Sequence, residues 1–219
     1  MDRSLRSCTR GAALLLALAL LPATAQALPV ISEFFYDAVG SDDGLSFIEL
    51  YGAPGTSLAG LALEGVNGSN GAVGPSLALS GAIPADGIFV VADATAGGPT
   101  SVPGADLLLD FDFQNGPDSV VLRSGGVVLD ALGYGVFAPG EVFAGEGAPA
   151  ADPAAGASLA RRFADVDTGD NAADFVVLET PTPGSAQLAA VPEPASASLL
   201  GAGLAGLAAG CGRRRRPRG

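Results

Sequence analysis

The chain predicts an all-β fold, an antiparallel sandwich or barrel, between two targeting ends. Three observations carry this. Glycine and proline, 32 and 16 of the 219 residues, punctuate short apolar runs about every 8 to 15 residues. Several of these runs alternate, as in Phe47-Ile48-Glu49-Leu50-Tyr51. No amphipathic stretch reaches helical length.

Taken in order, Val30–Tyr36 is the first apolar run, and Phe47–Tyr51 comes after the turn Asp42-Asp43-Gly44. Leu58–Glu64 and Ser76–Leu79 flank the turn pairs Asn67-Gly68 and Asn70-Gly71. Ile88–Ala92 is continuously apolar and should be buried on both faces. Leu107–Phe113 precedes the breaker Asn115-Gly116-Pro117, and Ser119–Arg123 and Val127–Leu132 meet at Ser124-Gly125-Gly126. These runs define a β body over 28–137. Residues 138–185 read differently: an acidic Ala/Gly/Pro-rich excursion whose chain returns to the sheet at Phe175–Leu178. A short spacer, 186–190, leads to the C-terminal segment 191–219.

Charge narrows the partners. The chain has 11 Arg, no Lys, and 23 Asp and Glu, for a net charge of −12. Between the ends, all the acids except Asp2 and Glu193 face only Arg123, Arg161 and Arg162. Nucleic acid is excluded as a partner, since phosphate binding needs a basic footprint. Histidine and tryptophan are absent, and Cys8 and Cys211 both lie in the end segments. The body therefore has no material for a histidine-based triad, a zinc cluster or an internal disulfide.

The ends read as addresses. Arg3, Arg6 and Arg10 precede the apolar run Gly11–Leu21, and Ala25 and Ala27 supply the small residues of a signal-peptidase site, so 1–27 is a signal peptide. At the other end, Pro192-Glu193-Pro194 precedes an uncharged Ala/Gly/Leu run over 195–212 and then Arg213, Arg214, Arg215 and Arg216. As a helix that run is roughly 27 Å long, enough for one transmembrane span, with the arginines on the cytoplasmic side. Motif, span and basic tail together resemble the PEP-CTERM sorting signal. The resemblance implies an outer-membrane-bearing bacterium, an inner-membrane-anchored intermediate and processing by an exosortase. It also implies delivery to the cell surface or an exopolysaccharide matrix. Cys211 reads as a small apolar residue of the span.

The body resembles the lamin-tail domain, an immunoglobulin-like antiparallel β-sandwich. The likeness is carried by Val30–Asp37 with Phe47–Tyr51, by Leu58–Leu63, by Asn115–Leu122 with Val128–Gly135, and by a later block from Ser158 through Arg161, Arg162 and Asp170–Phe175 to Pro183-Gly184. Leu61 stands where that family often has Trp, and Gly52 where it often has Asn. The resemblance implies a fold and a binding module, and no chemistry.

Candidate chemistry rests on acids. Asp165, Asp167, Asp170, Asn171 and Asp174 cluster around Gly169, the oxygen-rich material of a Ca²⁺ loop, although the spacing is not that of an EF-hand. A solvated acidic loop, partly neutralised by Arg161 and Arg162, is the alternative. Asp37, Asp42 and Asp43 form a second, thinner candidate. Asp167-Thr168-Gly169 matches the aspartic-protease triplet in a single copy without its preceding hydrophobic strand. Glu33 and Glu49 sit on strands among apolar neighbours, where an Arg or backbone amides should hold them. No residue is assigned a catalytic role and no cofactor is required, with Ca²⁺ as the candidate ion. The expected function is a non-enzymatic binding or structural module of the surface matrix, contacting exopolysaccharide or surface proteins after signal peptidase and exosortase have acted. The alternatives are a carboxylate-based hydrolase of matrix polysaccharide, or an accessory domain to a secreted nuclease or phosphatase.

Overall fold

The computed structural model describes residues 28–190. The signal segment with Ala25 and Ala27, the Pro-Glu-Pro motif, the run 195–212 and the arginine tail lie outside the described residues. Among the described residues, no helix is long and apolar enough to cross a membrane.

The body is all-β, with ten strands in two sheets and one helical turn. In chain order the elements are β1 (Val30–Phe35), β2 (Phe47–Tyr51), β3 (Leu61–Asn67), β4 (Val73–Ala78), β5 (Ile88–Asp93), β6 (Leu107–Leu109), β7 (Asp118–Ser124), β8 (Val127–Tyr134), β9 (Ser158–Arg161), α1 (Asn171–Asp174) and β10 (Phe175–Leu178). One sheet runs β10-β9-β1-β2-β5-β6 and the other β4-β3-β7-β8. Turn chemistry fixes the hairpins. Gly125, at φ +56°, turns β7 into β8 through a tight Gly-Gly loop that a side chain with Cβ would strain.

Both sheets feed one core. Ile31, Phe34, Ile48, Leu50 and Val91 from the first meet Leu63, Val120, Leu122 and Leu132 from the second. Tyr36 and Tyr134 pack within it as a tilted pair with ring centroids 4.7 Å apart, so these two tyrosines are structural. The continuous run in β5 is buried along nearly its whole length, as its sequence demands.

Three differences from the sequence reading have physical causes. The antiparallel expectation fails at one pair: β5 and β6 are parallel. The chain between Asp93 and Leu107 is far longer than a hairpin turn, so β6 can re-enter in the same direction. Strand β3 begins at Leu61 because Leu58 is spent on a turn, with the Leu61 N–H donating to the Leu58 carbonyl at 3.0 Å. The third difference is β9, inside the stretch read as an excursion. Ser158–Arg161 pairs with both β1 and β10, which places the returning strand two positions from β1 in the sheet.

Candidate functional site

Asp130, Asp167 and Asp174 gather around Arg161, the last residue of β9, whose side chain is fully buried. Strand β9 pairs with β1 only at Glu33 and Phe34. Further along β1, the Arg161 Nε–H donates to the Ile31 carbonyl at 3.0 Å, and the Ile31 N–H donates to Asp130 Oδ2 at 2.5 Å. One terminal nitrogen of Arg161 donates to both oxygens of Asp130, each at 3.0 Å. The other donates to Asp174 at 3.0 Å, the Val166 carbonyl at 3.3 Å and Asp167 at 3.4 Å. The guanidinium carbon also lies 4.7 Å from the centre of the Phe175 ring. Asp130 belongs to β8, so this cluster clasps the two sheets together.

The electrostatics come from burial. Asp130 has no exposed surface, and burial pushes its carboxyl up while the Arg161 guanidinium and the Ile31 amide pull against the rise. Asp174 is compensated twice more, by the Thr168 N–H at 2.9 Å and the Thr168 hydroxyl at 2.7 Å. Glu146 completes the group: carboxylate oxygens of Asp130, Glu146 and Asp167 lie within 4.8 Å of one another. Its Oε2 is buried without a partner. Burial first, then the neighbouring Asp130 and Asp167 charges, push the Glu146 carboxyl up to about 7.

The predicted Ca²⁺ residues divide. Asp167 and Asp174 turn to Arg161. Asp165 accepts the Ala189 N–H at 2.7 Å. Asp170 caps α1 by accepting the Ala172 N–H at 3.1 Å. Asn171 is buried and ties the 138–174 segment to β8, accepting from the Gly133 and Glu146 amides and donating to the Ala131 carbonyl at 2.7 Å. Gly145 fits against it because a Cβ there would sit 2.5 Å from both Asn171 Oδ1 and the Gly133 amide. Arg162 donates to the Ala173 carbonyl at 2.9 Å. Sequence reasoning named Arg161 as a neutraliser but missed Asp130 and Glu146. The signal for Asp130 was present, a lone acid between Leu129 and Ala131 in an apolar strand.

Glu33 and Glu49 form a second polar centre. They face each other across β1 and β2, both 1% exposed, on the side of the sheet turned away from the core. Of the two partners the sequence suggested, an arginine or backbone amides, no arginine pairs with them among the described residues. Hydroxyls and backbone amides hold them instead. Ser158 and Ser32 donate to Glu33 and Glu49 at 2.6 and 2.7 Å. The Thr182 amide and hydroxyl donate to Glu33 at 2.9 and 2.7 Å, and the Gly184 amide to Glu49 at 2.8 Å. Burial raises the Glu49 carboxyl above its ordinary value.

A third centre is an acidic cleft of about 560 Å³ that includes Asp42, Asp112, Asp118 and Glu141 in its lining. Burial raises the carboxyls of Asp112 and Asp118. Asp42 therefore sits with these acids, and the loop 165–174 contributes nothing to the lining.

The described body is an acidic all-β module in which Asp130, Asp174, Glu33 and Glu49 are compensated from within the chain. The C-terminal segment behind that body is more specific. Residues 190–216 match the family model of the PEP-CTERM protein-sorting motif. This match takes in Pro192, Glu193, Pro194 and Arg213–Arg216, and it implies export, a membrane-anchored intermediate and processing by an exosortase toward the cell surface. No curated protein and no solved structure matches the chain.

Proposed function

We propose that this protein is a non-enzymatic structural or binding module of the bacterial surface matrix, built on a lamin-tail-like, immunoglobulin-like sandwich. The observation that carries the reading is the sorting motif at 190–216, directly behind an all-β body. Signal peptidase removes 1–27, the C-terminal span holds the chain in the inner membrane, and exosortase passes it to the surface. The partner there is exopolysaccharide or another surface protein. Strong net negative charge suits solvation and contact with cations or basic surfaces. Calcium enters only as an assist. Within the acidic loop Asp174 and one oxygen of Asp167 turn to Arg161, while Asp170 and Asn171 hold backbone amides, which leaves the exposed sides of Asp165 and Asp167 to an ion.

Glu33 and Glu49 are facing carboxylates, the residue type a hydrolase would use. Their oxygens are taken up by Ser32, Ser158, Thr182 and Gly184, which favours a structural role for the pair. The test of the reading is replacement of Pro192, Glu193 and Pro194 by alanine in the full chain. The expected result is retention in the inner membrane; undiminished surface delivery refutes the assignment.

A further inference from the structure

After β10 the chain does not leave the body. Residues Glu179–Ala189 fold back across the outer face of the six-stranded sheet as a strap. Thr182 and Gly184 hang on the buried carboxylates of Glu33 and Glu49. Further along, the Gln187 carbonyl accepts the Ala164 N–H at 2.7 Å, and the Ala189 N–H donates to Asp165 at 2.7 Å. The spacer 186–190 is therefore bound to the domain at Gln187 and Ala189.

The strap is tied down by polar contacts and is not packed. Thr182, Gly184, Ser185, Gln187 and Leu188 are exposed. A cavity of about 450 Å³ lies between strap and sheet, with Ser32, Glu33, Glu49 and Arg161 in its wall. Such a segment opens far more easily than the domain unfolds, because little apolar surface is lost when it lifts. The two glutamates keep their Ser158 and Ser32 bonds when it does.

The position of the strap matters because the sorting motif starts where it ends. Ala189 precedes Pro192 by only three residues, about 10 Å of extended chain. An enzyme that cleaves beside the motif must lay an extended substrate across its cleft, and a folded domain that close obstructs it. Lifting the strap from Glu179 onward adds about 35 Å of free chain.

We infer that Glu179–Ala189 is a latch: docked on Glu33 and Glu49 it withholds the Pro192-Glu193-Pro194 motif, and its release sets the rate of processing by the exosortase. The inference rests on the sorting reading above. A variant in the strap tests it without touching the core. Gly184 sits at φ +80°, which proline cannot adopt, and its N–H is the donor to Glu49, so Gly184→Pro unlatches the strap. Thr182→Val removes only the hydroxyl bond to Glu33.

The full chain is tracked by pulse–chase in its exosortase-bearing host, and amide exchange is measured on full chain purified from a strain lacking that enzyme. The expected result for Gly184→Pro is a precursor half-life shortened about 3- to 10-fold, with exchange at 182–189 faster by a similar factor and the rest of the domain unchanged. Thr182→Val should fall between. Faster exchange with unchanged processing overturns the latch, and so does unchanged exchange. Replacement of the Pro-Glu-Pro residues separates the two claims. If that variant is blocked while Gly184→Pro is processed like the parent, only the latch fails; if it is processed normally, the sorting reading fails and the latch with it.

Discussion

Replacing Arg161 by methionine keeps an apolar stem of similar length and deletes the guanidinium. Asp130, without exposed surface, then loses both of its charged hydrogen bonds and keeps only the Ile31 and Ala131 amides. Asp174 loses one bond and keeps two from Thr168. Asp167 is 36% exposed, so its 3.4 Å pair contributes at most about 1 kcal/mol. The cost is dominated by leaving Asp130 buried without its cation, for which about 3–5 kcal/mol is the expected range. That is a large part of a total stability of about 5–15 kcal/mol. Asp130→Asn should cost less, about 2–3 kcal/mol, because Arg161 retains Asp174 and the Ile31 carbonyl. The two changes share one interaction, so the double variant should fall short of additivity by about 2 kcal/mol. Urea unfolding of fragment 28–190, which contains every described element, measures all four species with little ionic screening. A loss below about 1 kcal/mol for Arg161→Met, or strict additivity, would show that the clasp does not join the sheets as argued.

The remaining predictions concern protons and ions. Glu146 is held at about 7 in the fold against 4.5 for the free side chain. The folded state therefore binds the proton more tightly, and this stability is full below about pH 4.5 and lost as pH rises through 7. The shift corresponds to about 3 kcal/mol at most, and to about 1–2 kcal/mol once partial exposure is allowed for. Unfolding of Glu146→Gln across pH 4 to 8 should show that slope flattened; an unchanged slope would place the titration elsewhere. Calcium over EDTA should move the melting midpoint of the parent fragment by less than about 2 °C, and that of Arg161→Met by more, because Asp130, Glu146 and Asp167 then lack a cation. A rise of about 5–10 °C in the parent, abolished by Asp165→Asn, Asp167→Asn and Asp170→Asn together, would instead assign the loop to calcium.

The sheets were legible because their signals are local. Apolar runs bounded by Gly, Pro and Asn-Gly pairs located nine strands to within a few residues. Strand β9 was not, since Ser158, Leu159 and Ala160 carry little strand propensity and lie in an Ala/Gly/Pro-rich stretch. Its place comes from what Arg161 reaches, and those partners lie 31 residues away at Asp130 and 130 residues away at Ile31. Spacing along a chain cannot report such pairs. The acidic loop shows the same limit. Its composition was visible, but only the fold shows Asp167 and Asp174 facing a guanidinium while Asp165, Asp170 and Asn171 hold backbone amides.

That division explains how so acidic a body can fold. A buried carboxylate is tolerated only with a cation or a full set of donors. With Arg123 half-exposed on Glu64 and Arg162 on the surface, the one buried cation among the described residues is Arg161. The acids nearest the sheet junction share it, while Glu33 and Glu49 rely on hydroxyls and amides. Three of those donors come from the strap, so the same bonds that neutralise the glutamates also fix the last residues before the sorting motif. Compensation of buried acids and presentation of the C-terminal segment are therefore one structural problem in this chain. A substitution at Glu33 or Glu49 should be felt first at residues 182–189, well before it reaches the core that Ile31, Phe34 and Leu50 build on the opposite face.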